Sequence, residues 1–158
     1  MNQMKKAALR LCLVLMLVAC SGSPAESEVQ RLDADGLLQR IAEAKGKVVL
    51  INFWATWCPG CLQEIPELVK LRKAYDEDEL LVIGASVDES RGKLQRYLAK
   101  RPVNYPMYQA ASEASMLYGV RSIPLILIYN PKGELMVKHE GFAPFDQLQA
   151  AVGKLFSP

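Results

Sequence analysis

Two cysteines stand two residues apart in this chain, as Cys58-Pro59-Gly60-Cys61. A pair at that spacing can close a disulfide with little chain to order, and each thiol can then act in turn. The reactive species in such chemistry is the thiolate. Three readings share the pattern: redox exchange, a purely structural disulfide, and half of a zinc site. A four-ligand zinc site needs further donors. Outside an N-terminal leader the chain offers only His139 and Cys20 for that. A Cys-x-x-Cys between a strand and a helix favours redox chemistry.

The flanking residues supply those two elements. An apolar run, Val48 to Ile51, leads through Asn52 and Phe53 to Trp54. Such a run suits a strand buried on both faces, as in a parallel sheet. After the cysteines, Leu62, Ile65, Leu68, Val69 and Tyr75 recur at helical spacing. Cys58 therefore falls where a strand hands over to a helix. A sulfur at a helix N-terminus faces unpaired backbone N–H groups and the positive end of the macrodipole, and both favour the thiolate. Pro59 would be the first helical residue, where a missing N–H costs nothing. Cys58 is the candidate nucleophile. Cys61, with Leu62 and Ile65 beside it, is the more buried thiol and would resolve the mixed disulfide. Glu64 lies one helical turn after Cys61, so it can point back toward the dithiol and exchange protons with it. The alternative is an exposed helix carboxylate, or one that stabilises the first turn.

The stretch Asn52-Phe53-Trp54-Ala55-Thr56-Trp57-Cys58-Pro59-Gly60-Cys61, together with Glu64, Pro66 and the later Ile123-Pro124, resembles the thioredoxin superfamily. Within it the chain is similar to the membrane-tethered thiol-disulfide oxidoreductases of the TlpA/ResA/CcmG type. The resemblance covers about residues 36 to 156. It implies an α/β fold, a thioredoxin-like central mixed β-sheet flanked by helices, with a TlpA-type central strand–helix insertion. It implies an enzyme that exchanges disulfides, with no cofactor beyond the Cys58–Cys61 pair and no metal. It also implies a cis peptide at Pro124 facing the cysteines, with the Ile123 backbone pairing with a substrate strand. Trp57, Pro59, Ile123 and Pro124 are the candidate substrate-binding residues, Trp57 as an apolar rim; Trp54 reads as core. The chain departs from the family pattern twice. Leu125 stands where a Thr usually follows the proline. Asn52 stands where thioredoxin has a buried Asp, and Asn cannot accept a proton. An acid at the Glu64 position sits by the active site in ResA-type proteins.

The N-terminus reads as an address. Lys5, Lys6 and Arg10 form a basic region, and Leu11 to Ala19 an apolar core too short to span a membrane as a helix. It ends in Leu17-Val18-Ala19-Cys20, which looks like a bacterial lipobox, with Cys20 as the lipidation site; the alternative is an ordinary secretory peptide cut nearby. The expected organisation is a signal peptide over 1–19, a lipidated Cys and flexible tether over 20–35, and a thioredoxin-like domain over 36–158. The tether would span roughly 20 Å as a coil. Without Lys5, Lys6 and Arg10, the chain's 19 basic residues become 16 against 17 acidic ones. No nucleic-acid partner is implied.

The remaining elements follow from pattern. Asp35 can cap a helix over 36–45 that stops at Gly46. Leu80 to Val87 reads as a second buried strand, and a helix carrying Leu94, Tyr97 and Leu98 follows it. Asn104 to Tyr108 reads as a short strand and Glu113 to Tyr118 as a short helix. Leu125 to Tyr129 and Glu134 to His139 make a hairpin across Asn130-Pro131-Lys132-Gly133, and a last helix begins at Pro144. His139 reads as a packing or surface residue, and the methionines show no copper-site spacing. The expected partners are disulfide-containing extracytoplasmic proteins, such as apocytochrome c or copper-oxidase assembly factors. A membrane thiol-disulfide electron donor and the membrane itself, through Cys20, complete the set. The expected direction is reduction. The alternatives are a disulfide-forming oxidase and a non-catalytic binding or chaperone lipoprotein of the cell envelope, the latter disfavoured by the intact cysteine pair.

Overall fold

The computed structural model describes residues 28–156. The signal-peptide and Cys20 readings lie outside them. The apolar run becomes β2 (Val48–Trp54), the central strand, with all seven residues buried. Its alternation divides the core. Val49, Ile51 and Phe53 face one side of the sheet, against the helix α1 (Ala34–Glu43). Val48 and Leu50 face the other side, toward α2 (Pro59–Lys73). Asn52 and Trp54 share that second side by the period of two. Full burial of Phe53 and Trp54 contributes about 1.5–3 kcal/mol or more each, since large side chains remove the most apolar surface from water.

The other strands are β1 (Arg31–Leu32), β3 (Leu80–Ser86), β4 (Met107–Ala110), β5 (Leu125–Tyr129) and β6 (Leu135–Glu140). They form one sheet in the order β1-β4-β3-β2-β5-β6. β1, β4, β3 and β2 run parallel, β5 pairs antiparallel with β2, and β6 pairs antiparallel with β5. The helices α3 (Arg91–Lys100), α4 (Ser112–Leu117) and α5 (Phe145–Gly153) complete the layers. The β5–β6 turn closes with a Gly133 N–H to Asn130 carbonyl bond of 2.9 Å. It uses the positive φ of 84° at Gly133, which a side chain would resist.

The structure departs from the sequence expectations at several boundaries. The last part of the stretch expected as a tether over 20–35 belongs to the fold instead, because Arg31 and Leu32 pair with Gln109 and Ala110 and Val29 is buried. A two-residue strand joined through its backbone leaves no hydrophobic period to read. The first helix is capped by Asp33, not Asp35. Asp33 is extended and accepts the Gly36 N–H at 2.8 Å. Asp35 instead lies in the first turn, where its charge suits the macrodipole. The strand expected over 104–108 falls at β4, after Pro106, whose carbonyl accepts from Gly84 N–H at 2.9 Å.

Candidate active site

Cys58 is the N-cap of α2. Its backbone is extended, at φ −97° and ψ 107°, and its Sγ lies 3.2 Å from the Cys61 N–H that points at it. The first helical bond, Leu62 N–H to Cys58 carbonyl, follows at 3.1 Å. Pro59 occupies the first turn and is exposed. Cys58 and Cys61 are joined by a disulfide, with Cα atoms 5.2 Å apart. Cys58 is 6% exposed and Cys61 1%, so the expected order of burial holds.

A second loop meets this corner. The Ile123–Pro124 peptide is cis. The Ile123 carbonyl oxygen lies 3.7 Å from Cys58 Sγ. A Cβ placed on Gly60 would stand 3.6 Å from Pro124 Cδ, so the start of α2 packs directly on the proline. Pro124 is buried and Ile123 half-buried. The Pro124 carbonyl accepts from Gly141 N–H at 2.9 Å, which ties in the loop before α5. Trp57 projects from the same corner, 67% exposed. Trp54 is core, its ring 5.7 Å from that of Tyr97.

Glu64 is fully buried on the sheet-facing side of α2, which removes the exposed-carboxylate alternative. It accepts from Asn52 Nδ2 at 2.7 Å and from Ala143 N–H at 2.9 Å. These are its hydrogen-bond partners, and neither cysteine sulfur is among them. Burial pushes its pKa up to about 7, against the opposing pull of the Ala143 and Asn52 hydrogen bonds. One turn on, Glu67 accepts from Phe145 N–H at 3.2 Å. Two carboxylates of α2 thus hold the loop that enters α5. His139 lies half-buried on β6, away from this constellation in sequence and without a partner for Nε2.

Sequence reasoning missed two parts of this arrangement. Asp88, which the sequence reading did not single out, is buried and accepts from Thr56 and Ser86. Ala143, a loop residue 79 positions from Glu64, supplies a backbone donor. The only signal for the first is an acidic residue just past a buried strand, which names no partner. A main-chain N–H has none.

Among known proteins, a family model described as the AhpC/TSA family matches residues 22–138. The thiol-disulfide oxidoreductase ResA of Halalkalibacterium halodurans is 30% identical over 69% of this chain and 62% of its own length. The thioredoxin-like protein YneN of Bacillus subtilis is 35% identical over 64% of this chain and 61% of its own. The chain thus spans about three fifths of the length of these curated relatives. Two solved structures share the fold. One is a putative thiol:disulfide interchange protein DsbE from Chlorobium tepidum, at 27% identity and a TM-score of 0.64, covering 72% of this chain and 85% of that one. The other is an exposed lipoprotein thioredoxin of Streptococcus pneumoniae, at 27% identity and a TM-score of 0.63, covering 73% and 90%.

Proposed function

The chain belongs to the AhpC/TSA family of thioredoxin-like proteins, and on that premise we propose that it is a protein thiol-disulfide oxidoreductase acting through Cys58 and Cys61. The observation that carries the reading is the setting of Cys58 Sγ, 3.2 Å from a helix N-terminal N–H and 3.7 Å from the Ile123 carbonyl. In the reduced protein that N–H and the macrodipole would stabilise a Cys58 thiolate. The thiolate attacks one sulfur of a partner disulfide, and the other partner sulfur leaves as a thiolate and takes up a proton. Cys61, on losing its proton, attacks Cys58 Sγ. The enzyme disulfide closes and the second partner thiolate leaves. Glu64, with its pKa near neutrality, is suited to hold and return protons during this cycle. Ile123 pairs its backbone with the partner strand, and Trp57, Pro59 and Pro124 form the rim around it.

The working direction is reduction of disulfides in secreted proteins, with apocytochrome c or copper-oxidase assembly factors as the substrate class. A membrane thiol-disulfide protein is the electron donor. The protein is lipid-anchored through Cys20 and faces the extracytoplasmic side of the bacterial envelope. The lipobox supports the anchor, and so does the similarity to a protein described as an exposed lipoprotein thioredoxin. Among the described residues no helix is long and apolar enough to cross a membrane. The β4–α4 segment is the central insertion of the TlpA-like group, with β4 sitting between β1 and β3.

Equilibration of the purified protein with glutathione tests the direction. A potential near that of thioredoxin, about −270 mV, fits a reductase. A value within about 30 mV of DsbA's roughly −120 mV makes it an oxidant instead.

A further inference from the structure

Thr56 brings no chemistry of its own, yet it is tied down more closely than its position in a loop requires. Its backbone N–H donates to Asp88 Oδ2 at 2.9 Å, and its hydroxyl donates to Asp88 Oδ1 at 2.7 Å. The Ser86 hydroxyl donates to Asp88 Oδ2 at 2.7 Å. Three donors thus meet one carboxylate that is 5% exposed.

The segment bearing Asp88 is fastened in turn. Gln109 Nε2 on β4 donates to the carbonyls of Asp88 and Glu89, at 2.8 and 3.1 Å. Val87 N–H donates to the Trp54 carbonyl at 2.8 Å. The turn from Ala55 to Cys58 is closed by a 3.2 Å bond from Cys58 N–H to the Ala55 carbonyl. Trp57, 67% exposed, has its backbone held by Asp88 on one side, through Thr56, and by the helix cap on the other. The helix alone cannot fix the residues before its cap, because their N–H groups lie outside its ladder.

We propose that Asp88 is a positioning residue for disulfide exchange: through Thr56 it fixes the backbone that aims Cys58 Sγ, and with it the exposed Trp57, at an incoming protein disulfide. This rests on the exchange reading above. Its physical basis is attack geometry, where a displacement of about 1 Å can cost on the order of a hundredfold in rate. The clamp also keeps Cys58 Sγ on the Cys61 N–H, which favours the thiolate.

Two substitutions separate clamp from charge. Asp88→Asn removes the charge but can keep every bond. Its amide oxygen accepts from Thr56 N–H and Ser86 O–H, while its amide nitrogen donates to a Thr56 hydroxyl that has turned to accept. Asp88→Ala removes charge and clamp together. Both lack the charge, so the difference between them reads the clamp alone. Two rates are measured on the full chain: alkylation of reduced Cys58 by iodoacetamide at pH 7, and exchange with the disulfides of insulin. Relative to Asp88→Asn, Asp88→Ala should be alkylated roughly threefold more slowly and should exchange at least about tenfold more slowly. A merely structural role would lower the melting temperature and leave the reactivity of the folded protein alone. If Asp88→Ala does not fold, Thr56→Val carries the test, because it deletes only the hydroxyl bond; a loss of at least about threefold in exchange is expected. Equal rates for Asp88→Ala and Asp88→Asn, or for Thr56→Val and the unchanged chain in that fallback, overturn the proposal. Should even the unchanged chain leave insulin oxidised, the exchange reading fails. The alkylation comparison still decides the role of Asp88.

Discussion

The side-chain amide of Asn52 donates a 2.7 Å hydrogen bond to the carboxylate of Glu64, inside the interface between the central strand and the active-site helix. The two meet because the strand's alternation turns Asn52 toward α2 and the helix turns Glu64 toward the sheet. Asn52 Oδ1 is buried without a partner. Rotating the amide would present that oxygen to a protonated Glu64, whose O–H then donates. Asn52 can therefore serve either protonation state without carrying a charge itself. Ala143 N–H can only donate, and it favours the ionised form.

Any influence of Glu64 on the sulfurs has to act through its charge, since its hydrogen bonds go to Asn52 and Ala143. A carboxylate near the dithiol opposes a second negative charge and raises the thiol pKa. With Glu64 ionising near pH 7, Glu64→Gln should lower the apparent pKa of Cys58. The two proteins should diverge above pH 7 and converge below about pH 6, where Glu64 is already neutral. Alkylation rates and thiolate absorbance from pH 4 to 10 read this directly. Curves that superimpose across the range leave Glu64 without a role in thiol chemistry.

The same carboxyl should mark the protein's stability. Its pKa is raised on folding, from 4.5 to about 7, so the native state binds the proton more tightly than the unfolded chain. The resulting stabilisation is complete below about pH 4.5 and is lost as pH rises through 7. The amount is roughly 3 kcal/mol. Glu64→Gln carries no such dependence. In urea titrations of the oxidised proteins, the variant should gain about 2–3 kcal/mol on the unchanged chain between pH 5 and pH 8. A difference that stays constant over that interval would contradict the assignment.

Membrane attachment has its own test. The protein expressed in bacteria with its leader should partition into membranes and carry a lipid mass on the peptide that begins at Cys20. Cys20→Ser should release it. A soluble product cut at another bond refutes the anchor.

Much of this site is legible in the sequence, and the reasons are physical. The run from Val48 to Trp54 names a buried strand, and the spacing of Leu62, Ile65 and Leu68 names the helix. Their junction therefore places Cys58 at an N-cap. Glu64 can be placed because its distance from Cys61 is a fixed number of helical turns. The link from Asp88 to Thr56 crosses 32 positions and depends on how β3 pairs with β2, so no local pattern reveals it. Ala143 enters through its backbone, which every residue has. β1 escapes notice because two residues paired by main-chain bonds need no apolar signature.

The central claim is that Cys58 attacks a partner disulfide and Cys61 releases it. Cys61→Ser removes the resolving thiol and leaves Cys58 at the helix N-terminus. Reduced Cys61→Ser protein, incubated with a disulfide-bearing secreted protein, should accumulate as a covalent complex sensitive to reductant, and peptide mass spectrometry should map the new bond to Cys58. Cys58→Ser should form none. If the adduct maps to Cys61 in Cys58→Ser instead, or if neither variant is captured while the unchanged chain still reduces the partner, the assigned order of attack is wrong.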